Sequence, residues 1–313
     1  MADGTVLALG EALIDAVHQD DEVTEIVGGS LLNVACGLSA LGHEARIGCW
    51  IGQDDRGRRI VDYARERAVE IVEGCDRAGR TPVAYAQIDD QGKATYTFDL
   101  EWDLPPIADL DGYAHVHTGS IGATLEPGGT KVVQALDAAR SATVSYDPNV
   151  RPALMGSPAD VVGRIEEIVA RADVVKASDE DLAWLYPGRG YADVLRDWAT
   201  RGPRVLLTTR GAEGAAVVIA GEDELHELSA PSVAVRDTVG AGDSFMAGLI
   251  SGLLDAGLLG GPDAREALKA ATWDDVAPAV DRALATSAIT VGRAGAYGPS
   301  RDEVGRTQAE KQA

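Results

Sequence analysis

From about residue 110 onward, short apolar runs alternate with amphipathic ones, and few architectures accept that order. "HVHTGS", "TVSYDPN", "DVVKAS", "RVLLTT" and "AAVVIA" read as strands, and "GTKVVQALDAAR" and "PADVVGRIEEIVARA" as helices between them. Alternation of this kind predicts an α/β fold in three layers, a mainly parallel sheet with helices on both faces. The first hundred residues are different. "VLALGEALID" reads as a buried strand running into a turn, and "EVTEIV" as a half-exposed strand. "SLLNVACGLSALG" is a helix with Gly42 at its C-cap, "EARIGCWIG" a strand, and "RGRRIVDYARERAV" a helix striped by Ile60, Tyr63, Ala64 and the stem of Arg67. "PVAYAQID" and "ATYTFDLEW" flank Asp90-Gln91-Gly92 as a β-hairpin. Two β-rich stretches, about 13–29 and 81–104, therefore stand outside the strand–helix alternation. They are expected to form a small sheet over the open edge of the main one, where ligands of α/β sheets bind, and so to act as a lid. The last third carries two helical segments, "FMAGLISGLLDAG" and "DDVAPAVDRALATSAIT", and residues 301–313 read as a polar, flexible tail. The whole chain, 1–313, is expected to be one domain.

Charge excludes some classes of partner. The formal net charge is −22, which repels nucleic acid and anionic membrane surfaces, so neither is expected as a partner. No apolar run approaches the roughly 18 residues needed to span a bilayer, and the first residues lack the basic and apolar regions of a secretory signal. The three cysteines, Cys36, Cys49 and Cys75, form no CxxC pair and suit a reducing cytoplasm. The histidines lack metal-ligand spacing, and His115 and His117, alternating on a strand, read as structural.

The chemistry concentrates in "DTVGAGDSF", residues 237–245, which leads into the apolar run Phe245–Leu259. Gly240, Ala241 and Gly242 make a turn of small residues at a helix start, where unpaired N–H groups and the helix dipole favour an anion, a phosphate above all. Taken alone, Asp243 is most simply a first-turn cap. A phosphate cradle has no use for a nearby carboxylate, however, unless that carboxylate orients and deprotonates a hydroxyl attacking phosphorus. Neither GxxxxGK[ST] nor a GxGxxG after the first strand is present, which removes the best markers of P-loop and NAD-dependent chemistry. Earlier, Gly28, Gly29 and Asn33 in "GGSLLNVACG" combine close backbone approach with a carboxamide suited to a polyol.

"GG…N" early and "DTVGAGDSF" late, in this order and separation, resemble the two signatures of the ribokinase-like (PfkB) sugar kinases, and the similarity runs from about Val6 to Gly298. The resemblance implies an α/β body with a β lid, ATP as donor, Mg²⁺, and transfer of the γ-phosphate to a sugar hydroxymethyl group. It implies Asp243 as base and Gly240, Ala241 and Gly242 as the anion hole. It implies Asp15, Gly28, Gly29 and Asn33 as sugar contacts. "TTRGAEGA" then resembles the nucleotide loop, with Thr209, Gly211 and Gly214 in place, although by itself that stretch reads as a hairpin turn. "DPNVRP" puts Asp147 and Asn149 by the metal and phosphates and Arg151 as a donor fork. "ITVGRAGAY" resembles the segment bordering adenine and, with the backbone of Asp237 and Val239, a monovalent-cation (K⁺) site.

"DxNxR", "GEALID" and the hairpin ending "TYTF" are most like fructokinases; 2-keto-3-deoxygluconate, ribose or a nucleoside are the other acceptors the family offers. A non-catalytic sugar- or nucleotide-binding protein on the same fold is the reading from another class. Tyr85, Tyr96, Phe98 and Trp102 are lid aromatics that could stack on a base or sugar. Two departures stand out. The family's NxxE is here Ser178-Asp179-Glu180-Asp181, so that Asp181 would hold Mg²⁺ through a longer water bridge. Leu31 and Leu32 occupy a loop expected beside the sugar. Lids of this family often pair, so a homodimer through the lid edges is expected.

Overall fold

The computed structural model describes residues 4–19, 22–88 and 94–312. In chain order its strands are β1 (Val6–Leu9), β2 (Leu13–Gln19), β3 (Glu22–Gly28), β4 (Ala45–Gly48), β5 (Val69–Ile71), β6 (Val83–Ile88), β7 (Ala94–Asp99), β8 (His115–Gly119), β9 (Thr143–Asp147), β10 (Val174–Ser178), β11 (Val205–Thr209), β12 (Ala215–Ile219) and β13 (Leu225–Leu228). Its helices are α1 (Ser30–Ala40), α2 (Asp55–Glu66), α3 (Gly128–Ala138), α4 (Pro152–Met155), α5 (Pro158–Val169), α6 (Asp179–Leu185), α7 (Tyr191–Ala199), α8 (Ala241–Asp255), α9 (Pro262–Ala270), α10 (Trp273–Val291) and α11 (Arg301–Gln312).

Nine strands form one sheet in the order β13-β12-β11-β10-β9-β8-β1-β4-β5, parallel from β11 through to β5, with β12 and β13 antiparallel at one edge. Its parallel strands are buried on both faces, as a sheet covered by helices requires, though one face of β8, β9 and β10 carries the buried polar side chains of His115, His117, Thr143, Ser145 and Lys176. Two separate cores result. One holds α1, α8 and α10, and the other α3, α5 and α7. The three-layer α/β expectation is met.

The chain leaves β1 toward β4 on one side and returns through β8 on the other. That reversal of strand order opens a crevice at the carboxyl ends of β1 and β8, where ligands of such sheets bind. The lid stands over it, a four-stranded sheet in the order β3-β2-β6-β7. The turn expected at Asp90-Gln91-Gly92 lies outside the described residues.

Three expectations need correction. "VLALGEALID" is not one strand. β1 ends at Leu9, and β2 begins at Leu13 in the other sheet, because Gly10–Ala12 packs down on the α1 start: a side chain on Gly10 would meet Leu31 Cγ at 2.5 Å. The segment "PDAREALKA" is a further helix, α9, started by Pro262 at its first turn. The tail is helical and attached. In α11, Val304 is 2 % exposed, and Arg301 donates to the Leu41 carbonyl and pairs with Asp255. Its polar composition concealed a helix held by one buried side chain and by ion pairs.

Candidate active site

α8 begins at Gly240, whose φ of +73° is left-handed, and a Cβ there would meet Ala296 Cβ at 2.6 Å. Only glycine fits that position. The next residues start a helix that is buried along almost its whole length, and its interior glycines explain how. Side chains on Gly248 and Gly252 would strike α10 at Ala283, Thr286 and Ala279, so their absence lets the two helices approach closely. α1 meets α8 in the same way, with Gly37 against Ala247. The turn 240–242 is thus clamped by packing.

Asp243, 8 % exposed, does not cap its own helix, as the simplest reading of the motif would have it. Its carboxylate turns to the start of α1, accepting from Ser30 Oγ at 2.7 Å and Asn33 Nδ2 at 2.8 Å. Asn149 Nδ2 donates to Ser30 Oγ at 2.9 Å, and Arg151 donates to Asn149 Oδ1 at 2.7 Å. The early and late motifs, about 210 residues apart in the chain, therefore share one hydrogen-bond network. Asn149 holds a φ of +39° and Ser120 one of +51°, so two of the few left-handed non-glycine residues line this crevice.

Asp15 sits on β2 of the lid, not at the end of the first strand. Burial pushes its carboxyl up to about 6, while the Arg151 guanidinium pulls it down. Gly28 is its neighbour: a Cβ there would lie 2.2 Å from Asp15 Oδ2. Gly29, with φ of +114°, passes so close to the β1–β2 connection that a Cβ would meet the Glu11 carbonyl at 2.5 Å. Strand register puts Ile26, Ala84 and Phe98 on the Asp15 face. Tyr85 falls on the opposite face, and Trp102 is buried with its Nε1 bonded to the Gly122 carbonyl, so neither is a free stacking platform. The Tyr96 side chain lies outside the described residues. Leu31 and Leu32 are fully buried core residues rather than crevice lining. The helical turn aims them inward.

At the end of β9, Asp147 is buried and ion-paired to the equally buried Lys176 at 2.8 Å. Burial pushes Asp147 up to about 6, against the pull of Lys176. Its Oδ1 has no hydrogen-bond partner. Asp181 is more committed. It forms a capping box with Ser178 and also accepts from Val150 N at 2.8 Å, so each of its oxygens already holds a backbone donor. Among the described residues no three His, Cys, Asp or Glu side chains gather as a metal cage. Thr209 ends β11 beside Ser178 of β10, and Arg210–Gly214 closes the β11–β12 hairpin, with Gly211 at φ +51° and Gly214 at +97°. The stretch is a hairpin turn, as its residues alone suggest, and that turn lies at the sheet's carboxyl edge. Asp237 accepts from Val239 N and Gly295 N, tying the 237–239 loop to the segment after α10.

The sequence reading passed over three residues. Ser30 bonds to Asp243. Lys176 pairs with Asp147. Glu11, 6 % exposed, accepts from Ser30 N at 3.2 Å and Gly122 N at 3.1 Å, and burial pushes its carboxyl up to about 7. A charged residue within an otherwise apolar run, as in "VVKAS" and "LALGEA", was the available signal for Lys176 and Glu11.

Comparison with known proteins adds three findings. The profile of the pfkB family carbohydrate kinases matches residues 4–303. A fructokinase of Klebsiella pneumoniae is 32% identical over 272 residues, covering 82% of this chain and 86% of its own, and fructokinase-2 of Oryza sativa is 32% identical over 78% of both. The crystal structure of a Xylella fastidiosa fructokinase with bound ATP superposes with a TM-score of 0.86 at 25% identity, covering 99% of this chain and all of that one.

Proposed function

Since this chain belongs to the pfkB family of carbohydrate kinases and is a phosphotransferase with an alcohol group of a sugar as acceptor, we propose that it is an ATP-dependent fructokinase whose base is Asp243. One observation carries the assignment. The carboxylate beside the Gly240–Gly242 turn is joined by hydrogen bonds to Ser30 and Asn33, at the root of the strand pair that holds Asp15.

In this reading Asp15, Gly28, Gly29, Asn33 and Arg151 hold the sugar, and the lid excludes water. Asp243 accepts the proton of the hydroxymethyl group as its oxygen attacks the γ-phosphorus. The N–H groups of Gly240, Ala241 and Gly242, at the positive end of α8, stabilise the charge spreading over the phosphoryl oxygens. Thr209, Gly211 and Gly214 border the nucleotide.

The donor set fits a magnesium ion held mainly by phosphates and water: Asp147 has a free, buried oxygen, and no protein cage surrounds it. Asp147 would hold it directly or through water, and Asp181 through water only. When bound, Mg²⁺ neutralises phosphate charge. The anchored 237–239 loop would present the carbonyls of Asp237 and Val239 to K⁺. The three unpaired, buried thiols suit the cytoplasm. Edge strand β3, with Val23 and Ile26 more than half exposed, suits lid-to-lid pairing.

The test is ADP release with fructose, 2-keto-3-deoxygluconate, ribose and a nucleoside as acceptors. Fructose is expected to have the highest kcat/KM; a higher value for another acceptor reassigns the substrate. Asp243→Asn is expected to lower kcat by about 10²–10⁴-fold with ATP affinity kept, and near-normal turnover would remove Asp243 from the mechanism.

A further inference from the structure

We propose that Lys176 is a positioning residue for phosphoryl transfer, its buried ammonium supplying the fixed positive charge behind the Gly240–Gly242 turn while holding Asp147 in place. The proposal rests on the kinase reading and adds a residue to it.

Lys176 lies in the middle of β10, 3 % exposed, between the buried Val175 and Ala177. Its Nζ is 2.8 Å from Asp147 Oδ2. The same nitrogen would be 3.1 Å from a Cβ on Gly242, so it sits directly against the first turn of α8. That is an unfavourable place for a cation. The N-terminus of a helix carries partial positive charge, and burial penalises the ammonium further. A buried ion pair is also a poor device for stability alone, because well-packed apolar residues usually do as well or better. An anion arriving at the turn resolves the conflict, since it is attracted by the helix end and by Lys176 together.

Charge balance points the same way. Asp147, Asp181 and Asp243 all act electrostatically on Lys176. Three carboxylates converge where a polyphosphate must enter. Without Lys176 the region would repel its substrate, and Arg151, which pulls on Asp15 and Glu11, serves the sugar side. The unpartnered Oδ1 of Asp147 shows that the pair is not closed upon itself. Gly242 is explained as well, because a side chain there would press on the ammonium.

Two variants separate charge from shape. Lys176→Gln keeps a donor toward Asp147 and removes the charge; Lys176→Arg keeps the charge. Calorimetry measures the affinity of the full-length protein for ADP alone, and for ADP with Mg²⁺, aluminium fluoride and fructose as a mimic of the phosphoryl in flight. Lys176→Gln is expected to weaken binding of the mimic by about 100-fold, with ADP alone changed less than about threefold and kcat, not KM, carrying the loss of activity. Lys176→Arg is expected to recover most of the mimic's affinity. Equal mimic affinity in wild type and Lys176→Gln, equal losses for ADP and mimic, or identical behaviour of Gln and Arg would each overturn the proposal. If wild type itself fails to bind the mimic, the kinase reading falls and this proposal with it.

Discussion

At the scale of single residues, burial makes the carboxyls of Glu11, Asp15 and Asp147 reluctant to ionise. Glu11 is the clearest case, lifted from 4.5 to about 7 because it is buried among backbone donors that only partly replace water. A carboxyl raised on folding binds its proton more tightly in the native state. Its penalty is absent below about pH 4.5, grows as pH rises toward about 7, and is constant above. At full size it is about 3 kcal/mol. Glu11→Gln cannot ionise, so its stability relative to wild type should improve by about that amount between pH 4.5 and 7, measured from urea midpoints of both proteins at each pH. A difference that does not change with pH would show that Glu11 is not raised. His115 and His117, buried with hydroxyl partners on Thr143 and Ser145, are pushed the other way, below the usual histidine range, so wild type also loses stability as pH falls below 6.5. The comparison between two proteins cancels that contribution. Of these residues the sequence alone made Asp243 and Asp15 legible, because each stands in a motif. Glu11, Ser30 and Lys176 act through partners 19 to 213 positions away or across a strand, and although a charge amid apolar residues marks Glu11 and Lys176, nothing local names those partners.

At the scale of elements, the α8–α10 contact decides where Asp243 stands. Gly248 and Gly252 allow α10 to approach α8 at Ala279 and Ala283, and Thr286 Oγ1 donates to the Ser244 carbonyl at 2.9 Å, one residue from Asp243. Gly248→Val would overpack this seam. It is expected to lower stability by about 1–3 kcal/mol and to reduce kcat more than ATP affinity, because α8 carries Asp243 and the turn together. An unchanged denaturation midpoint would show that the seam yields. The apolar run after Phe245 made this helix visible in the sequence. The partner of its glycines was not, since a glycine in a helix pattern reads as a weakness until the opposing surface is known. α11 shows the converse, a polar segment held by the buried Val304 and by the ion pair of Arg301 with Asp255.

At the scale of the molecule, the lid is joined to the body by charge. Glu25 on β3 accepts from Arg56 Nε at 2.9 Å and from Arg59, both on α2. Solvent still reaches all three side chains, 23 % to 44 % exposed, and screens the clamp, so it contributes at most about 1 kcal/mol to stability. It also holds the edge of the sheet that bears Asp15 against α2. Glu25→Gln is therefore expected to raise KM for the sugar several-fold, to leave kcat close to wild type, and to shift Tm very little. A loss in kcat with KM unchanged would show that the clamp does not govern sugar capture. The existence of two β-rich pieces outside the alternation was readable from the sequence. Their order, β3-β2-β6-β7, and the face on which Asp15 lies depend on register, which long-range pairing selects.

The sequence by itself determined the alternating body, the separate β pieces, the Gly-Ala-Gly-Asp helix start and the family to which the motifs point. Each of these is local periodicity or a short motif, and local physics suffices for it. Only the tertiary structure decided that Asp243 faces Ser30 and Asn33 instead of capping its helix, that Asp181 is absorbed in a capping box, that Leu31, Leu32 and Trp102 are core, and that a buried lysine stands against the Gly240–Gly242 turn. Those outcomes depend on which distant surfaces meet, and a side chain's partners are fixed by packing and desolvation across the whole fold.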